Sequence, residues 1–251
     1  MLLHCYTGPL LTGDRPHPGL TPLLAERDAL IELGPRCAGG VVLGVPHHAA
    51  VGRGRIAERS PSGGRVADEN AVLYALACLA RLRELGVGSA LVIAAHASDH
   101  DPNKRRETPY CRRVLGDPKP RLLVECHGAG ARAPHDLEVT AGRNRGTRPL
   151  DFGRLLARSL GPGFHVAAQT APGERAALIV DAQPRATPSV LRFPALRTTS
   201  LHAAGERGIA ALHVEAKPRF RSRGDGSTRL TRSGRSLGES LAEAIAAYVA
   251  G

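Results

Sequence analysis

The stretch "RLLVECHGAG", from Arg121 to Gly130, runs apolar and then stops on Cys126, His127 and a glycine, where the chain turns. "GGVVLGVPHH" ends in the same way on His47 and His48, and "ADEN" sets Asp68 and Glu69 at the start of an amphipathic segment. Two neutral imidazoles and one carboxylate leave an open position on a tetrahedral zinc ion, the arrangement that makes a water nucleophilic near neutral pH. The types fit that chemistry, but the spacing does not compel it, because the HExxH pattern is absent. A strand-end histidine can equally hydrogen-bond a neighbouring carbonyl, and Asp68 can be a charge near a helix N-terminus. Of the adjacent His47 and His48, one is expected to face away.

A further carboxylate, Glu215, sits inside the apolar run "LHVEAKPRF". Alternation puts His213 and Glu215 on one face of a strand, with Leu212 and Val214 on the other. Burying an unpaired carboxylate is costly, so Glu215 calls for a cation, a metal or a water to activate, in surroundings that raise its pKa towards the general-base range. A structural pair with an arginine such as Arg219 is the competing expectation. The loop "DHDPNKRRE" gathers Asp99, Asp101, Asn103, Lys104, Arg105 and Arg106. Amide and guanidinium groups at a strand end suit a substrate carboxylate, although a solvated charged loop is the commoner outcome.

The elements that must position these residues read as an α/β chain, in which short apolar runs alternate with amphipathic segments. "GGVVLGVPHH" is predicted as a strand stopped by Pro46, and a polar loop "AAVGRGRIAERSPSGGR" follows. "ADENAVLYALACLARLREL" is predicted as a helix with acidic residues in its first turn. "SALVIAAHA" is a strand delivering His96 near its end, and "DHDPNKRRETPYC" is a loop. "RLLVECHG", "HDLEVTAG", "FHVAAQ", "AALIVDA" and "IAALHVEAKPRFR" are further strands, while "PLDFGRLLARSL" and the closing "GRSLGESLAEAIAAYVAG" are helices. With no repeat period and no linker, the expectation is one domain over residues 1–251, a mixed central sheet flanked by helices.

Composition narrows the function classes. The chain of 251 residues carries 34 lysines and arginines and a formal charge of +11, yet only Lys104, Lys119 and Lys217 are lysine, a profile that matches a GC-rich coding bias. The arginines are scattered from Arg15 to Arg235 without an interleaved aromatic platform, so a small anionic substrate is expected rather than nucleic acid. Aromatics make up 3%, which leaves the core to Ala, Val and Leu. Five cysteines, none in a CxxC pair, disfavour a disulfide framework and a zinc-thiolate site. The N-terminal run lacks a signal-peptide pattern and no 18-residue apolar stretch follows, so a soluble, cytoplasmic protein is expected without membrane partners.

Taken in order, "VPHH", "ADENAVLYALA", "DHDPNKR", "ECHGAG", "HDLEVTAG" and "LHVEAKPRFR" resemble the N-formylglutamate amidohydrolase family. No single motif is specific; the order of six is. The resemblance implies a phosphorylase/hydrolase-like fold related to zinc carboxypeptidases and acyl-glutamate deacylases, with one zinc ion and hydrolysis of a linear amide. It places His47, Asp68 or Glu69, and His127 at the metal, and Glu215 as general base. Asp101 and Asn103 match an Asp-x-Asn segment that implies substrate binding, together with Lys104, Arg105, Arg53 and Arg55. His48, His96 and His135 are expected around the site. Lys104 stands where the family has arginine, which puts formylglutamate itself in doubt. The competing readings are a non-catalytic metabolite- or partner-binding member of the same fold and a basic nucleic-acid binder.

Overall fold

A computed structural model describes residues 2–26, 29–48, 68, 70–95, 101–171, 174–189, 191, 195, 198–221 and 228–251. The first elements are β1 (Leu2–Tyr6), a small hairpin of β2 (Leu11–Thr12) and β3 (Arg15–Pro16), α1 (Thr21–Leu24) and β4 (Ala29–Leu33). β5 (Val41–His48), α2 (Ala71–Glu84), β6 (Ser89–Ala95), α3 (Pro109–Leu115), β7 (Leu122–Gly128) and β8 (Leu137–Thr140) follow. The chain closes with α4 (Pro149–Leu160), β9 (Val166–Gln169), β10 (Ala176–Val180), β11 (Gln183–Ser189), α5 (Thr199–Glu206), β12 (Ala210–Ala216) and α6 (Arg232–Ala250).

Ten of these strands form one mixed sheet in the order β1-β4-β6-β5-β7-β12-β8-β9-β10-β11. At its centre β6, β5, β7 and β12 run parallel. Their alternating side chains feed two cores. Leu122, Val124, Leu212 and Val214 pack on one face with α2, α4 and α6, whereas Leu123 and Ala211 pack on the other with α3 and α5. From β5 the chain crosses through α2 on one face to β6, then returns through α3 on the opposite face to β7, on the far side of β5. The carboxyl ends of β5 and β7 therefore flank a topological switch point, where open α/β sheets leave a crevice.

α2 is buried over ten of its fourteen residues, because α6 lies against it from outside. Gly238 permits that approach: a Cβ there would fall 2.6 Å from the Tyr74 carbonyl oxygen. The few aromatics are nevertheless prominent, with Tyr74, Tyr110, Phe152 and Phe220 fully buried.

Three local expectations are corrected. Pro46 does not stop β5, which runs on to His48. The helix expected over "ADENAVLYALACLARLREL" begins at Ala71, behind Asn70 in a left-handed conformation (φ 58°), so Asp68 precedes the helix instead of lying in its first turn. Within the expected loop "DHDPNKRRETPYC", Pro109 opens α3, with Thr108 as N-cap accepting from the Cys111 amide at 3.1 Å. β1, β4 and β11 carried no strand reading in the sequence.

Candidate metal centre

The end of β5 decides which histidine reaches the site. Along β5, Val41, Leu43 and Val45 face α2, and strict alternation would send residue 47 the same way. Val45 pairs with Ile93 and His48 with Ala95, so β5 spends three steps against two on β6. This bulge at Pro46 and His47 exchanges the faces, as bulges do, and a proline without an N–H is at home there. His47 consequently meets His127 edge-on, with ring centroids 5.0 Å apart. His48 points to the other face, where its Nε2–H donates to the Leu24 carbonyl at 2.9 Å, so it stands away from the cluster it was expected to surround. Burial there pushes His48 down to about 4.

Asp68 joins the two histidines from the segment before α2. Its amide donates to the His47 carbonyl at 2.8 Å, which pins its backbone beside the end of β5. Its Oδ2 lies 2.9 Å from His127 Nδ1 and 3.4 Å from His47 Nδ1, so two ring nitrogens converge on one carboxylate oxygen. The His47 Nε2–H donates to Asp101 Oδ1 at 2.8 Å. The loop residue expected to hold substrate thus holds a histidine instead.

On the same sheet face, β7 and β12 bring four side chains into a block. Glu125 pairs in register with His213, and His127 with Glu215. Glu125 is fully buried; its Oε1 accepts from Tyr110 (2.9 Å) and Ser200 (2.6 Å), its Oε2 from Asn103 Nδ2 (3.3 Å), and Oε2 lies 3.8 Å from His127 Nε2. Tyr110 reaches it across Gly44, where any Cβ would collide with the phenolic oxygen. His213 stacks on His127 with centroids 4.0 Å apart and its Nε2 lies 2.9 Å from Glu215 Oε1. Arg219 does not pair with Glu215; it pairs with Asp136 at 2.7 Å.

The electrostatics follow from this crowding. Burial opposes charge on Asp68, but hydrogen bonds from His127 and His47 outweigh it and hold the carboxyl well below the usual carboxylate range. Burial likewise opposes protonation of His127, yet Asp68 and Glu125 raise it to about 10. His47 is raised against its burial by Asp101 and Asp68. Desolvation pushes Glu215 up to about 7, the range of a base at neutral pH. A site that pulls protons onto two buried imidazoles is one that favours a cation between its carboxylates. His127 Nε2, His213 Nδ1 and Glu215 Oε2 are buried without a hydrogen-bond partner among the described residues. His47, Asp68 and His127 each present a ligand atom within 4.8 Å of the others, and their two-imidazole, one-carboxylate donor set fits zinc.

The remaining expectations divide. Asn103 is buried against Glu125, Lys104 Nζ donates to Thr198 Oγ1 at 3.1 Å, and Arg105 is exposed. His135 is half-buried ahead of β8, beside Asp136. Arg53, Arg55, Glu69 and His96 lie outside the described residues. Glu125, Tyr110 and Ser200 were missed as parts of the site. The alternation that linked His213 to Glu215 would have placed Glu125 beside His127.

No family model and no curated protein matches the sequence. Solved structures do share the architecture. An N-formylglutamate amidohydrolase from Ralstonia eutropha JMP134 is 14% identical, covers 90% of this chain and 99% of its own, and superposes with a TM-score of 0.50. A bacteriophage poly-gamma-glutamate hydrolase (16% identity, 88% of this chain and 90% of that one, TM-score 0.49) is also similar. So is a metallo-carboxypeptidase from Burkholderia cenocepacia (14% identity, 88% of this chain, TM-score 0.47), of which this chain spans 60%. The likeness to the amidohydrolase shows that the protein has its α/β fold, as the sequence motifs implied. Among the described residues no helix is long and apolar enough to cross a membrane.

Proposed function

We propose that the protein is a metal-dependent hydrolase that cleaves the amide bond of an N-acyl amino acid or a small peptide-like, anionic substrate, with residues 1–251 acting as one catalytic domain. The observation that carries this reading is the convergence of His47 Nδ1 and His127 Nδ1 on Asp68 Oδ2, one strand away from Glu215 Oε2, which has no hydrogen-bond partner among the described residues. His47, Asp68 and His127 hold zinc in this reading, and the bound ion supplies carbonyl polarisation and a lowered pKa for water. Glu215 takes the proton of the attacking water at Oε2. As the water oxygen bonds to the carbonyl carbon and the C–N bond breaks, Glu215 returns that proton to the leaving nitrogen, giving an acid and an amine. Asp101 fixes the ring of His47 from behind. Lys104 and Arg105 supply positive charge for a substrate carboxylate, and lysine's single point charge favours a looser choice of acid than a bidentate arginine would impose. The solved structures named as an amidohydrolase, a poly-gamma-glutamate hydrolase and a metallo-carboxypeptidase agree with this class of substrate.

Elemental analysis tests the metal and kinetics test the base. The purified protein should contain about one zinc per chain, and His127→Ala should lose it. Glu215→Gln should keep the zinc and lose on the order of 10²-fold or more in kcat on N-formyl and N-acetyl amino acids. Absence of metal after reconstitution, or full turnover by Glu215→Gln, would overturn the reading.

A further inference from the structure

Glu215 needs something to hold it. Its side chain makes one hydrogen bond among the described residues, to His213 Nε2 at 2.9 Å. A carboxylate on a flexible stem, buried and tied at one oxygen only, is oriented by that tie.

His213 is built for the task in three respects. It lies two residues before Glu215 on β12, so both side chains project from the same face. Its ring is clamped at a 25° interplanar angle against His127, which is itself fixed through Asp68, so the imidazole has little freedom to turn. Its Nδ1 is buried with no partner among the described residues, a desolvation cost that an apolar residue in the same place would avoid. A carboxylate only accepts, so the bond to Glu215 calls for the tautomer with its proton on Nε2.

We propose that His213 is the positioning residue of Glu215: its Nε2–H holds Oε1 and thereby presents Oε2 to the attacking water. The inference rests on the reading of Glu215 as proton acceptor and adds the residue that aims it. Loss of the tie would leave the carboxylate free to rotate, and misplacement by an ångström costs on the order of 10²-fold in rate.

The test compares zinc-loaded wild type, His213→Ala, His213→Gln and Glu215→Gln on N-formyl and N-acetyl amino acids. His213→Ala should lower kcat by roughly 10- to 100-fold with KM within about twofold and zinc content unchanged. His213→Gln, which keeps an N–H at a similar reach, should recover most of that loss. In metal-free protein, 15N-histidine NMR should report His213 as the Nε2–H tautomer, a measurement that needs neither substrate nor a folded alanine variant. The Nδ1–H tautomer, an unchanged kcat in His213→Ala, equal loss in the alanine and glutamine variants, or loss of zinc from His213→Ala would each overturn the assignment. If Glu215→Gln is inactive while His213→Ala turns over normally, only the role of His213 falls; if Glu215→Gln is fully active, the reading of the site falls with it.

Discussion

His47 meets a carboxylate at each ring nitrogen, Asp68 towards Nδ1 and Asp101 on Nε2. The second contact fixes which nitrogen carries the proton, so Nδ1 is left to present a lone pair. Asp101→Asn should therefore weaken zinc binding by about 10- to 100-fold without displacing the fold, as read by competition with a chromophoric chelator. An affinity equal to wild type would separate Asp101 from the site. His47, His127 and Glu215 were legible in the sequence as candidates because each is an imidazole or carboxylate closing or interrupting an apolar run, whereas Asp68 was legible only as an alternative to the adjacent Glu69. Asp101 was legible as a candidate but in another role, because no spacing rule tells whether a loop carboxylate turns outward to a ligand or inward to a histidine. Glu125 escaped notice although it breaks an apolar run as Glu215 does. Its partners Tyr110 and Ser200 come from α3 and α5, 15 and 75 residues away in the sequence.

At the scale of elements, the bulge in β5 is the decisive feature. Without it, Pro46-His47-His48 would present the other histidine to His127. The sequence showed the proline but not its consequence, because a bulge is defined by the register of β5 against β6, and register is a long-range property. The central strands and the helices α2, α4 and α6 were readable from periodicity. The sheet edges were not, since β11 contains two prolines and β1 carries exposed Leu2 and Leu3. Gly44 offers a test at this scale. Gly44→Ala drives a methyl group into the Tyr110 hydroxyl and should destabilise the protein by about 1–3 kcal/mol in urea unfolding. Combining it with Tyr110→Phe, which removes that oxygen, should recover part of the loss; strictly additive destabilisation would show that the two positions do not meet.

For the whole molecule, the site draws on β5, β7, β12 and the segments before α2 and α3, so a bound metal ties distant parts of the chain together. Stripping the metal with a chelator should lower Tm, and adding zinc at about 100 times its Kd should restore roughly 2.7 kcal/mol of apparent stability. A Tm indifferent to zinc would mean that the ion does not bind the folded chain in preference to the unfolded one. The pairing of His127 with Glu215 across the β7–β12 ladder has a last consequence. The proposed ligand and the proposed base are separated by the spacing of two hydrogen-bonded strands at the centre of a ten-stranded sheet, the kind of region that opens only when the whole fold opens. Amides of residues 123–127 and 212–215 should therefore exchange with solvent deuterium at the free energy of global unfolding, and turnover should fade on heating in step with the sheet rather than ahead of it.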